Sequence, residues 1–203
     1  SIILIKVGMN TAKGKEINTE AKEEEHSKKL RYSEDLKKVE TTLRKYYTEK
    51  DIYVFRTSIS NPPAEIDSIP QKFRNKGDKE RTYEYEPTAE ELSMLDEKDQ
   101  LSFIGARGLS VYKSEDKLIK ESIRTYKGIK KKYGEDEAKA YAEKSRGIYT
   151  QKLHITPDVG LLGKFSSSGH ANLLLYEGFT INDLRDDGYE TKTIKYEEDD
   201  TKQ

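Results

Sequence analysis

The apolar residues of this chain occur in short runs, and none of these runs is longer than four residues. Short apolar runs are typical of β-strands, and the sequence predicts strands at residues 2–7, 52–55 and 171–176. The second is the strongest candidate, because all four of its residues favour strands. A membrane-spanning helix needs about 20 consecutive apolar residues. The sequence therefore predicts no membrane span and no membrane partner.

The scarcity of apolar residues limits how much of the chain can enter a core. Only 33% of the 203 residues are hydrophobic, whereas 37% are charged. We expect a short strand and a polar linker over residues 1–31, a globular domain over 32–190 and an acidic, disordered tail over 191–203. The segment 2–7 lacks the flanking features of a signal peptide. We therefore expect a cytoplasmic protein, or one delivered into the cytoplasm of a target cell.

Several classes of site are disfavoured by composition alone. The absence of cysteine excludes disulfides, thiolate catalysis and cysteine-based zinc sites. Three histidines leave little for a metal site, and we predict none. A net charge of −1 argues against generic nucleic-acid binding, which uses a basic surplus or a basic face.

Capping residues and apolar periodicity divide the middle of the chain into helices and strands. Ser33, Thr88 and Ser114 are candidate N-caps, and Glu91 completes a capping box with Thr88. The predicted helices span residues 33–48 and 88–98, with a helical hairpin at 114–145, and the further strands span 101–104, 109–112 and 148–156. This mixture predicts a single α+β domain with a mixed or antiparallel sheet and flanking helices.

The end of the strongest strand carries the first candidate binding residues. Arg56 follows the run at 52–55 directly and is itself followed by Thr57 and Ser58. A guanidinium can hold a phosphate or a carboxylate through two parallel hydrogen bonds. The alternative is an arginine in solvent or in a structural ion pair.

Two later segments combine glycine with polar residues. In residues 105–112, glycines such as Gly108 allow a ligand to approach the backbone, and Ser110 would project into the same space. A plain hairpin or bulge is the alternative. In residues 166–170, three serines and a glycine precede His170, whose imidazole could act as a general base. A surface loop is the alternative there.

Read in order, three strings resemble the skeleton of the ADP-ribosyltransferase-like toxins. They are Ile-Tyr-Val-Phe-Arg-Thr-Ser at 52–58, Gly-Leu-Ser-Val-Tyr at 108–112 and the late strand that ends at Tyr176 and Glu177. The resemblance implies an α+β fold with a cleft that binds NAD as a substrate. It also implies a macromolecular target, expected to be a protein, and a cognate inhibitor or immunity protein as a further partner.

The same resemblance assigns roles to residues. Arg56, with Thr57 and Ser58 beside it, would contact NAD, and Gly108 and Ser110 would shape the ribose site. Glu177 would be the catalytic carboxylate, with help from His170. Stabilisation of an oxocarbenium-like transition state needs a carboxylate close to the reacting carbon.

Two other functions are compatible with the residues. A non-catalytic interaction protein, such as an inhibitor, an immunity protein or a phage accessory factor, would bind through the proline-rich 60–87 loop and the 114–145 hairpin. A metal-independent nuclease would instead bring His154 and His170 together as an acid–base pair.

Overall fold

A five-stranded antiparallel sheet forms the centre of the molecule in the computed structural model, which describes residues 28–74 and 86–197. Its strands are β1 (Ile52–Ser58), β2 (Leu109–Tyr112), β3 (Tyr149–Ile155), β4 (Gly160–Leu162) and β5 (His170–Leu175). Their order across the sheet is β3-β1-β2-β5-β4, and every neighbouring pair is antiparallel. The predicted single α+β domain with an antiparallel sheet is confirmed.

Helices flank this sheet. They are α1 (Ser33–Leu36), α2 (Glu40–Tyr46), α3 (Gln71–Arg74), α4 (Ala89–Ser93), α5 (Glu97–Gly105), α6 (Glu115–Tyr133) and α7 (Glu135–Ala140). Short 3-10 helices occur at Lys37–Val39, Glu65–Ser68 and Ile181–Leu184, and a π-helical turn follows α7 at Tyr141–Arg146. The predicted helical hairpin is thus formed by α6, α7 and the π-helical turn.

Two of the three predicted caps begin helices. The Thr88 hydroxyl accepts a hydrogen bond from the Glu91 amide at the start of α4, and the Ser114 hydroxyl accepts one from the Lys117 amide at the start of α6. The third prediction was wrong, because the N-cap of α1 is Tyr32, which adopts a left-handed conformation with φ 61°. The predicted helix 33–48 is also interrupted by the 3-10 helix before α2.

The strand predicted at residues 101–104 is part of helix α5. The carboxylate of Asp96 accepts a hydrogen bond from the Asp99 amide at 2.8 Å, and this cap begins a helix instead of a strand. Leu101 and Ile104, which are three residues apart, then pack into the same cluster as Leu92. A short apolar run fits a helix or a strand, and here the Asp96 cap upstream makes it part of a helix.

Apolar side chains form three packed clusters. The central cluster lies on one face of the sheet and includes Val54, Val111 and Leu173. A second cluster joins α2, α4 and α5 to the other face through Leu174. The third lies between α6, α7 and residues 194–196. The opposite faces of β5 are thus both covered.

The packed part of the chain extends to residue 197 rather than ending at 190. Ile194 and Tyr196 are buried, and the Tyr196 hydroxyl donates to the Gly147 carbonyl at 2.7 Å. Part of the segment predicted as a disordered tail is therefore ordered against α6. The predicted strand at 2–7, the linker up to residue 27 and residues 198–203 lie outside the described residues.

Candidate functional site

A cavity of about 400 Å³ opens where β1 and β2 separate. The two strands share the registered pair Phe55 and Tyr112, and residues of both strands beyond this pair line the cavity. Its volume lies in the range of small-molecule sites, which is roughly 300–1,000 Å³. The lining residues are Arg56, Thr57, Pro70, Gln71, Lys72, Arg74, Gly105, Ala106, Gly108, Leu109, Ser110, Tyr141, Ser145 and Arg146.

Three arginines from distant parts of the chain meet at this cavity. Arg56 comes from β1, Arg74 from the end of α3 and Arg146 from the end of the π-helical turn. No carboxylate is found among the described residues that line the cavity. The walls are therefore strongly cationic.

The arginine side chains are held by neutral groups. Arg56 is only 7% exposed, and its guanidinium donates to the carbonyl oxygens of Ser110 at 2.8 Å and Asp67 at 3.2 Å. Arg74 donates to the carbonyl of Ile69, and Arg146 donates to the Ser122 hydroxyl at 3.0 Å. Such partners fix the position of a guanidinium without neutralising its charge.

The carboxylate of Asp67 is already engaged by the backbone. It accepts hydrogen bonds from the amides of Ile59 at 2.6 Å and Ala64 at 2.9 Å. Its charge raises the pKa of Arg56, but this effect is smaller than the lowering caused by Arg74 or by Arg146. The cluster thus retains a positive charge.

The pKa of Arg56 reflects its burial and the repulsion between the three arginines. Burial, followed by the charges of Arg74 and Arg146, lowers the pKa of the Arg56 guanidinium to about 9. In addition, Nε of Arg56 and one terminal nitrogen of Arg146 are buried without a hydrogen-bond partner in the described part of the chain. Buried donors without partners are uncommon in folded proteins, and two of the three among the described residues sit on residues that line this cavity, the third being Nε of Arg185. A bound anion would reduce the repulsion between the arginines.

Next to the arginines, Ser110 and His170 form a close polar contact. The antiparallel register places His170 opposite Tyr112 and Ser110 opposite Asn172, so these side chains share one face of the sheet. Nε2 of His170 lies 3.0 Å from Oγ of Ser110. Burial, and then the charge of Arg146, lowers the pKa of His170. Both effects favour the neutral imidazole.

Of the other residues predicted to bind NAD, two line the cavity and one does not. Thr57 and Gly108 line the cavity, and the Thr57 hydroxyl donates to the Arg146 carbonyl at 2.6 Å. Ser58 is fully buried and does not line the cavity; its hydroxyl donates to the Ser60 carbonyl. Arg56, Thr57, Gly108 and Ser110 are thus brought together, while Ser58 supports the loop after β1.

Glu177 lies away from this cavity. It follows the end of β5 that is opposite to His170, it is exposed, and its amide donates to the Lys29 carbonyl. Since β5 has six residues, Glu177 is separated from His170 by more than the length of the strand. Its role as the catalytic carboxylate stays a prediction that receives no support from this placement.

The two histidines of the nuclease hypothesis do not converge. His154 is on β3, an edge strand, and β1 and β2 lie between it and the β5 strand of His170. The His154 ring stacks on Tyr53 and its Nε2 lies 2.6 Å from the Asp51 carboxylate. This arrangement does not support an acid–base pair made by the two rings.

Arg74 was not among the residues singled out from the sequence. It lies in the proline-rich 60–87 segment, whose length suggested a binding loop, and Pro70, Gln71 and Lys72 from this segment also line the cavity. The segment was thus identifiable, whereas the individual arginine had no local signal.

Comparisons with known proteins give no further assignment. No family model matches the chain, and neither curated proteins nor solved structures contain a match. Within residues 28–74 and 86–197, no group of three or more acidic or histidine side chains is placed to hold a metal ion. No helix in these same ranges is long and apolar enough to cross a membrane.

Proposed function

We propose that this protein binds NAD in the arginine-lined cavity and uses it as a substrate, as ADP-ribosyltransferase-like domains do. The observation that carries the proposal is the convergence of Arg56, Arg74 and Arg146 on one cavity without a lining carboxylate. A diphosphate supplies the negative charge and the acceptor oxygens that these arginines lack. Dinucleotides such as NAD contain this group.

The chemistry of the arginines suits a phosphate group, as it also suits a carboxylate. Guanidinium groups form paired hydrogen bonds with phosphate oxygens, and these charge-assisted bonds are stronger in a partly buried site. Ser110 and Thr57, which line the same cavity, would then lie within reach of the adjoining sugar.

The proposal has two parts with different support. The binding of a diphosphate is supported by the cavity, whereas the transfer of ADP-ribose to a protein target is supported by the sequence resemblance alone. The lining lacks the carboxylate that transfer chemistry needs, since Glu177 lies elsewhere. The first experiment therefore measures binding.

Isothermal titration of NAD, ADP and nicotinamide into the purified protein tests the proposal. We expect NAD and ADP to bind and nicotinamide, which has no phosphate, not to bind. Replacement of Arg74 by Gln should weaken ADP binding at least tenfold, because a charge-assisted hydrogen bond contributes about 1.5–3 kcal/mol. Arg56→Gln should do the same, with circular dichroism as a check on its fold.

The matched control is Arg44→Gln. Arg44 is exposed on α2 and pairs with Glu40 one turn away, so its loss should leave binding unchanged. If neither NAD nor ADP binds the wild-type protein, the proposal fails. The non-catalytic interaction protein would then be the better hypothesis, with Tyr133, which is 62% exposed at the tip of the hairpin, as the first residue to change.

A further inference from the structure

Ligand binding by the arginines does not require the contact between Ser110 and His170. This contact instead suggests a chemical step. We propose that Ser110 is a nucleophile, activated by His170, that attacks a phosphorus atom of the diphosphate held by the three arginines. This inference rests on the proposed function for the identity of the ligand. It adds a hydrolytic activity towards the phosphoanhydride bond, which differs from the transfer of ADP-ribose.

The geometry is that of a nucleophile with its base. The distance of 3.0 Å between Oγ of Ser110 and Nε2 of His170 allows direct proton transfer. Ser110 lies on β2 and His170 on β5, and these strands are paired at four residue positions. The backbone pairing therefore sets the distance between the two side chains. Sites built on strands hold such distances better than sites on loops.

The surroundings keep His170 in the form that a base requires. The charged and titratable groups that influence it are Arg146 and Glu121, and the ring also lies 5.3 Å from that of Tyr112. Burial and the Arg146 charge lower its pKa, and Glu121 opposes them as the smallest of the three effects. Nε2 can therefore accept the Ser110 proton at neutral pH.

The arginines are placed to stabilise the attacked group. Arg56 donates to the backbone carbonyl of Ser110 at 2.8 Å. The register at Phe55 and Tyr112 starts the Arg56 side chain from the other face of the sheet than Oγ of Ser110, but both residues line the same cavity. Fixed cations next to a phosphoryl group stabilise the negative charge that its oxygens carry in the transition state. The hydrogen bonds of Arg56 and Arg146 to protein groups hold both guanidinium groups in place, which limits reorganisation during the reaction.

The reaction is balanced without a cofactor. Oγ of Ser110 forms a bond to phosphorus, the P–O anhydride bond breaks, and its electron pair leaves with the departing phosphate. The Ser110 proton passes to His170 and then to the departing phosphate. Water then attacks the phosphoserine diester, gives its proton to His170, and the proton returns to Oγ as the ester breaks. The products from NAD are two mononucleotides.

A neutral fluorophosphonate tests the nucleophile without relying on ligand affinity. We expect the full chain to gain one adduct at Ser110, seen by intact mass and peptide mapping, as the P–F bond breaks. Ser110→Ala should give none, and His170→Gln should slow labelling by about 100-fold or more. His154→Gln, which changes a histidine that contacts Asp51 instead of Ser110, is the matched control and should label at the wild-type rate.

Two results would overturn the inference: no adduct on the wild-type protein, or an equal rate of labelling in His170→Gln. The second arm incubates NAD with each protein and measures mononucleotides by chromatography, where Ser110→Ala should abolish the product. Titration of ADP distinguishes the two proposals. Labelling at Ser110 without ADP binding overturns the proposed function and with it the diphosphate as substrate, but keeps Ser110 as an activated nucleophile. ADP binding without labelling overturns this inference alone.

Discussion

At the scale of single residues, the buried arginines Arg107 and Arg56 differ in whether their hydrogen-bond partners neutralise their positive charge. The Arg107 side chain is 1% exposed, but it pairs with the carboxylates of Asp35 at 3.0 Å and Glu86 at 2.8 Å and lies 3.6 Å over the Phe103 ring. Its charge is compensated inside the protein, so Arg107 is a structural residue. Arg56 instead donates to carbonyl groups, and its charge remains available to a ligand.

His170 gives a pH dependence of stability whose sign is fixed by its lowered pKa. As the pH falls below about 6.5, the unfolded chain binds a proton at this residue before the folded chain does. We expect the free energy of unfolding to fall over this range, and His170→Gln should reduce the fall. Urea denaturation of both proteins at pH 7.5 and 5.5 measures the difference. An identical fall in both would contradict the burial of a neutral imidazole.

At the scale of elements, the path of the backbone near the cavity depends on one glycine. Gly147 connects the π-helical turn to β3 with φ 91°, and a Cβ atom there would lie 2.2 Å from the Ser58 carbonyl oxygen. The preceding residue is Arg146. The approach of two backbone segments at Gly147 therefore also sets the position of a cavity arginine.

Gly134 provides a matched comparison for this position. Its φ is 98°, and a Cβ atom there would have no heavy atom within 4 Å. Gly134→Ala should cost about 1–3 kcal/mol of stability from the backbone alone, because φ 98° with ψ 174° is a combination that glycine adopts far more readily than other residues. Gly147→Ala should cost more, because the backbone of β1 must move, and it should also weaken ADP binding. Thermal denaturation and titration measure both effects; equal losses of stability would show that the close contact is unimportant.

At the scale of the whole molecule, the C-terminal residues hold the helical hairpin against the sheet. Ile194 and Tyr196 complete the third apolar cluster, and the amide of Ile194 donates to the Ile148 carbonyl at 2.7 Å. This segment joins α6, the π-helical turn and β3. It is thus a structural part of the domain.

Removal of residues 191–203 should destabilise the protein strongly. Burial of a large apolar side chain contributes about 1.5–3 kcal/mol, so the loss of Ile194 and Tyr196 should lower the free energy of unfolding by about 3–6 kcal/mol. A chain that ends at residue 197 keeps these contacts and is the control. Urea denaturation of the two truncated proteins measures this loss in the free energy of unfolding. Equal stability would mean that the segment contributes little.

Sequence patterns anticipated the parts of this molecule that depend on neighbours along the chain. The β1 run and the caps at Thr88 and Ser114 are local signals, and each marked its element correctly. The meeting of Arg56 and Ser110 at one cavity was expected only through the family resemblance. Arg74 and Arg146 reach the same cavity through the packing of distant segments, which leaves no local pattern.

The separation of β1 from β2 divides the sheet into two plates. One plate contains β3 and β1, joined along seven residue pairs, and the other contains β2, β5 and β4. The plates meet in register at Phe55 and Tyr112 among the described residues. Arg56 belongs to the first plate and Ser110 to the second. A molecule bound between them would therefore connect the two plates where their strands share one registered residue pair.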